Sequence, residues 1–144
     1  MYVRGILIDP ITETVSEMYI QPNLEGLKYA LSIDPQFSGL VERVSVARSE
    51  DMWICEEGNL APGRLVFSLG GHTFAGAAII LAHDDEGESV SSRLPLELII
   101  GLVQWTNLET TGDFGEPREY VTEHPVLGKV PVYEGGKPIY QERV

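Results

Sequence analysis

The sequence predicts an α+β fold: a mainly antiparallel sheet built from hairpins, two helices packed on it, and a C-terminal extension. Three observations predict it. Short runs rich in β-branched and apolar residues recur from Val3 onward, separated by turn chemistry. Residues 24–32 and 94–105 repeat apolar side chains at the helical period. After Asn107 the composition shifts toward Gly, Pro and Thr. A chain of 144 residues suits one core. That core is expected over residues 1–107, with 108–144 as an extension holding a small hairpin.

Residues 2–8 and 15–20 are two β-rich runs joined by Asp9-Pro10-Ile11-Thr12, whose Asp-Pro opening favours a turn. Val3, Gly5 and Leu7 alternate with Arg4, Ile6 and Ile8, so the first strand is apolar on both faces and central. Pro22-Asn23 supplies a stop and a helix cap before Leu24, Leu27 and Leu31. Gly26 in that helix costs about 1 kcal/mol relative to alanine, and Asp34-Pro35 ends it.

Residues 40–47 and 52–55 flank Arg48-Ser49-Glu50-Asp51 as a second hairpin. Its first strand interleaves Glu42, Arg43 and Ser45 with Val41, Val44 and Val46, the pattern of a half-exposed strand. Residues 56–63 read as a loop. Residues 65–69 and 74–83 are further strands about Gly70-Gly71-His72-Thr73. The run from Ala75 to Ala82 has no polar side chain, which predicts burial on both faces, and its small residues call for a closely packed helix.

Asp85-Glu86-Gly87 has turn chemistry, with residues 88–91 pairing back. Leu94-Pro95-Leu96 opens the stronger helix, with Leu96, Ile99, Ile100 and Val103 on one side. Leu98, Leu102 and Trp105 lie on the other and need a cover, either another segment of the chain or a second subunit. They form the candidate dimer interface. Residues 109–116 read as a linker or long loop, and residues 130–133 and 138–141 bracket Glu134-Gly135-Gly136-Lys137 as a hairpin whose prolines exclude a central strand.

The net charge of −12 is concentrated: residues 50–116 hold twelve acids against Arg64 and Arg93. Direct nucleic-acid or anionic-membrane binding is disfavoured, because both draw affinity from clustered Lys and Arg. Acids at turns keep a small protein soluble. If they share a face, they also steer docking onto a basic partner and imitate the charge array of DNA. Glu56, Glu57, Asp84, Asp85, Glu86 and Glu88 are the candidate contact residues.

Cys55 is the only cysteine, which excludes an internal disulfide framework and leaves a buried thiol or a reactive one. The N-terminus lacks signal-peptide or transit-peptide character, and the apolar stretches fall short of the about 20 residues that span a bilayer. A cytoplasmic protein is expected.

No motif identifies a catalytic centre, a cofactor or a metal. Gly70-Gly71-His72-Thr73-Phe74-Ala75-Gly76 fits neither the dinucleotide nor the phosphate-loop spacing. His83-Asp84-Asp85-Glu86-Gly87-Glu88 lacks calcium-loop spacing and a second histidine for zinc. His72, His83 and His124 accompany no nucleophile motif.

The order of elements, with Leu24-Glu25-Gly26-Leu27, Glu56-Glu57-Gly58-Asn59-Leu60 and His83-Asp84-Asp85-Glu86-Gly87-Glu88, resembles a small family of uncharacterised bacteriophage, plasmid and bacterial domains. The resemblance covers roughly residues 3 to 105. Family members often carry Pro-x-Asn-Arg after the fourth strand, where this chain has Pro62-Gly63-Arg64, and stop soon after the last helix. The resemblance implies a mobile-element origin, in a host cytoplasm, and transfers no catalytic residue.

Three functional classes follow. The first is a non-enzymatic, phage-type acidic accessory protein that binds a host protein with a basic surface and blunts a defence or nucleic-acid-handling system. The second is a small-molecule binder or enzyme with a pocket beside Gly70–Gly76 and a histidine, His72 or His83, as its polar group. The third is a structural homodimer.

Overall fold

The computed structural model describes all residues, Met1–Val144. It is mostly antiparallel sheet with two short helices, arranged in three layers. The first sheet has the order β2-β1-β7-β4-β3, formed by β1 (Val3–Asp9), β2 (Thr14–Ile20), β3 (Val41–Ala47), β4 (Glu50–Cys55) and β7 (Ala78–His83). The short β8 (Ser89–Val90) pairs with the end of β7. The second sheet has the order β12-β9-β5-β6, from β5 (Leu65–Leu69), β6 (His72–Ala75), β9 (Val103–Phe114) and β12 (Pro138–Glu142). The strands β10 (Arg118–His124) and β11 (Gly128–Glu134) pair only with each other.

Period-two alternation divides the side chains of the first sheet between two cores. On one face Val3, Leu7, Ile79 and Leu81 meet Leu27, Ala30 and Leu31 of α1 (Leu24–Leu31). On the other, Ile6, Ile8, Met52, Ile54, Ala78 and Ile80 meet Phe67 and Leu69 of β5, Val103 of β9 and Ile99 of α2 (Leu96–Leu102). Both faces of β1 and β7 are therefore covered, which is why neither strand tolerates a polar residue in its middle.

α1 begins where the Asn23 side chain accepts a hydrogen bond from the Gly26 amide at 2.9 Å. Gly26 is a poor helix former, but a Cβ there would collide with the Gln21 carbonyl. Close approach of the entering chain, not helix propensity, sets that residue.

Four features differ from the sequence expectation. The apolar run from Phe74 to His83 is two strands in two sheets. The chain crosses between them at Gly76, whose φ of +84° suits glycine. α2 ends at Leu102, and Val103, Trp105 and Thr106 continue as β9 against β5; a short apolar run does not distinguish helix from strand by periodicity alone. The boundary expected after residue 107 falls inside β9, and residues 109–114 are strand, not linker. β11 pairs with β10 and β12 with β9, so the tail is a long two-stranded ribbon whose proximal half belongs to the second sheet. No helix is long and apolar enough to cross a membrane.

Candidate functional site

Where β3, the outermost strand of the first sheet, faces β6, the outermost strand of the second, the two layers do not close. The result is an open groove of about 880 Å³. Val44 and Val46 of β3 form one wall, and Leu94, Leu98, Ile99 and Leu102 at α2 form another. Leu69, the Gly70-Gly71 turn, His72, Thr73 and Phe74 close one side, and Lys137, Pro138 and Tyr140 another.

Polar anchors hold these walls. The Glu50 carboxylate, 4% exposed, accepts hydrogen bonds from the Ser92 hydroxyl and the Arg93 amide, both at 2.8 Å. The Arg4 guanidinium donates to the carbonyls of Ser92 (3.1 Å) and Leu94 (2.9 Å). Together they fix the segment leading into α2, so its exposed leucines are presented and not frayed. On the opposite side the Thr73 hydroxyl donates to the Tyr140 hydroxyl at 3.1 Å, and the Phe74 ring packs on Phe67 with centroids 5.6 Å apart.

The groove's polar chemistry is sparse. Its ionisable side chains are His72, Lys137 and Tyr140, and none is a carboxylate. Asn59 also lines it, and its Oδ1 is buried without a hydrogen-bond partner. An apolar cleft with a few polar groups is the general form of small-molecule sites.

Ser45 of β3 also borders a second, wholly polar depression with Arg43, Ser49, Asp51, His83, Asp84, Asp85 and Gly87. In it the Asp51 carboxylate, 5% exposed, sits 2.6 Å from His83 Nδ1. This contact holds the half-buried imidazole by its Nδ1. No hydroxyl is hydrogen-bonded to that ring. No group of three or more His, Cys, Asp or Glu side chains is placed to hold a metal.

The six acids expected to share a face do not converge. β4 and β7 are antiparallel, with Glu50 opposite Ala82 and Ile54 opposite Ala78. Glu56 and Glu57, which follow β4, therefore leave the sheet at one end, while Asp84, Asp85, Glu86 and Glu88, which follow β7, leave at the other. Asp84 is further committed to its own turn, accepting from the amides of Glu86 (3.0 Å) and Glu88 (2.9 Å).

The candidate dimer set also separates. Leu98 and Leu102 are half exposed on α2 and line the groove, whereas Trp105 lies on β9, packed on the core. His72 enters the groove, His83 pairs with Asp51, and His124 accepts from the Val126 and Leu127 amides at the ribbon's turn.

Arg64 and Asp34 are internal charges. Arg64, 3% exposed, donates from Nη2 to Asp34 Oδ2 at 2.6 Å and from Nη1 to the Gln36 carbonyl at 3.1 Å. Its guanidinium also approaches the buried Cys55 Sγ at 3.9 Å, and the Ser38 hydroxyl lies 3.3 Å from that sulfur. Burial pushes the Cys55 thiol up, but the hydrogen bonds from Ser38, the chain at Glu57 and Arg64 outweigh it, holding the thiol below its ordinary value.

No protein family, curated protein or solved structure matches this chain. The likeness to bacteriophage and plasmid domains thus gains no support, and it assigns no role to any residue of the groove. Sequence reasoning located the Gly70–Phe74 side of the groove and missed Val44, Val46, Lys137 and Tyr140. The alternation of valines on β3 was their one local signal; the rest are joined only by tertiary structure.

Proposed function

We propose that this protein binds a small apolar molecule in the groove between β3, α2 and the β5–β6 turn. The observation that carries the proposal is the groove itself: about 880 Å³, walled by Val44, Val46, Leu98 and Leu102, with few polar groups. Such clefts commonly take drug-sized ligands, and their sparse polar groups set orientation. The anchoring of α2 by Glu50 and Arg4 supports a preformed wall over one assembled on binding.

An acidic accessory protein docking a basic host partner is the second class, and only the Asp84–Glu88 turn is left to carry it. A homodimer through Leu98 and Leu102 would cover the groove and compete with a ligand there.

Titration of the isotope-labelled protein with decanol, followed by amide chemical shifts, tests the proposal. The expected result is saturable change confined to residues 44–47, 69–74 and 98–102, reduced about tenfold or more in affinity by Leu98→Glu, which puts a charge on the apolar wall. Leu98 is half exposed, so that variant should fold normally. Changes scattered over the surface, or insensitive to Leu98→Glu, would overturn the proposal.

A further inference from the structure

Asp and Glu supply 22 of the 144 residues, against 10 Lys and Arg, yet none of the 18 residues lining the groove is acidic. The lining instead holds Lys137 and His72. Lys137 forms no ion pair: the three pairs in the molecule are Arg4–Glu17, Arg64–Asp34 and His83–Asp51. Its backbone is fixed by a 2.8 Å hydrogen bond from the Gly115 amide to the Lys137 carbonyl, which places the start of β12 at the groove's edge.

An apolar cleft whose one permanent charge is a cation, in a chain that is otherwise strongly anionic, complements one kind of ligand. We infer that the groove takes an anionic amphiphile, its apolar body against Val44, Val46, Leu98 and Leu102 and its headgroup at Lys137 and His72. Neutral apolar molecules gain only the wall contacts. Cationic amphiphiles gain the same contacts but meet Lys137 and find no carboxylate within the groove, although the protein's overall charge attracts them. The inference rests on the groove being the ligand site and adds the sign of the ligand's charge.

The headgroup chemistry is shared by carboxylates and phosphate monoesters, and one series separates them. Decanoate, decyl phosphate, decanol and decyltrimethylammonium, each below its micelle concentration, are titrated into the full chain by calorimetry and amide shifts. One of the two anions should bind about threefold to tenfold more tightly than decanol, the gain a partly exposed charge pair provides. Whichever anion leads names the headgroup. In Lys137→Gln the anion and decanol should bind with equal affinity, within about twofold of each other.

Equal affinity for decanol and both anions, or tightest binding of the cation in the groove, overturns the inference while leaving the groove a ligand site. An anion preference that survives in Lys137→Gln and in Lys137→Gln/His72→Gln also overturns it. If no member of the series shifts the groove residues, the proposed function fails together with it.

Discussion

Replacing Arg64 by methionine removes the cation from a carboxylate that the fold has already taken out of water. Arg64 and Asp34 are 3% and 6% exposed, and their closest atoms are 2.6 Å apart. Deleting one partner of a buried pair costs about 3–5 kcal/mol, because the remaining charge is left uncompensated. Asp34 is not wholly stranded: its Oδ1 still accepts from the Gln36 amide at 2.9 Å. Losing the Arg64 bond to the Gln36 carbonyl adds about 1 kcal/mol.

The expected loss for Arg64→Met is therefore about 4 kcal/mol, or roughly 10 °C in Tm for a chain of this length. Urea denaturation followed by circular dichroism measures it, with the slope m compared between variants. The double variant Arg64→Met/Asp34→Asn leaves no buried charge at this site and should recover about half of the loss. A loss under about 1 kcal/mol for Arg64→Met, or a double variant no more stable than the single, would refute the account of a charge pair holding the 32–38 segment to the β4–β5 loop.

The same region gives further expectations. Gly76→Ala imposes a left-handed conformation on alanine and drives its Cβ into the Arg64 guanidinium and the Asp34 carboxylate; denaturation should show a loss of about 2 kcal/mol or more. Because the folded Cys55 thiol sits below its ordinary value, the folded state releases its proton first as pH rises. Its contribution is fully present above the unfolded value of about 8.5 and lost as pH falls through the folded value. The stability of the native protein relative to Cys55→Ala should thus grow between neutral pH and about pH 9, and a flat difference would contradict this assignment. Excising residues 117–136 and joining β9 to β12 by a short turn should leave the amide spectrum of residues 3–109 intact and cost under about 1 kcal/mol, since β10 and β11 pair with nothing else.

Where local chemistry decides structure, the chain can be read directly. Asn23 caps α1, Asp-Pro opens the first turn, and the apolar alternation of β1 and β7 announces strands covered on both faces. What long-range packing decides stayed hidden. Nothing local marks Gly76 as the point where one apolar run changes sheets. Its reason is a guanidinium and a carboxylate contributed by Arg64 and Asp34 from far along the chain.

The end of α2 was hidden for a related reason: Val103 and Trp105 satisfy a helical period, but β-branched and aromatic side chains also suit the strand that β5 recruits. The charge pattern misled most. Asp9, Asp34, Glu50 and Asp51 are buried and hydrogen-bonded, so acid counts along the sequence overstate the surface charge. Strand direction then sends the two exposed acid groups to opposite ends.

The proposed ligand site is the cleft between the two open sheet edges. Bound decanoate there should give nuclear Overhauser contacts from its protons to the methyl groups of Val44, Val46, Leu98 and Leu102, all four of them. Contacts to Val126 and Leu127 at the exposed ribbon tip instead, or to no methyl group at all, would contradict it.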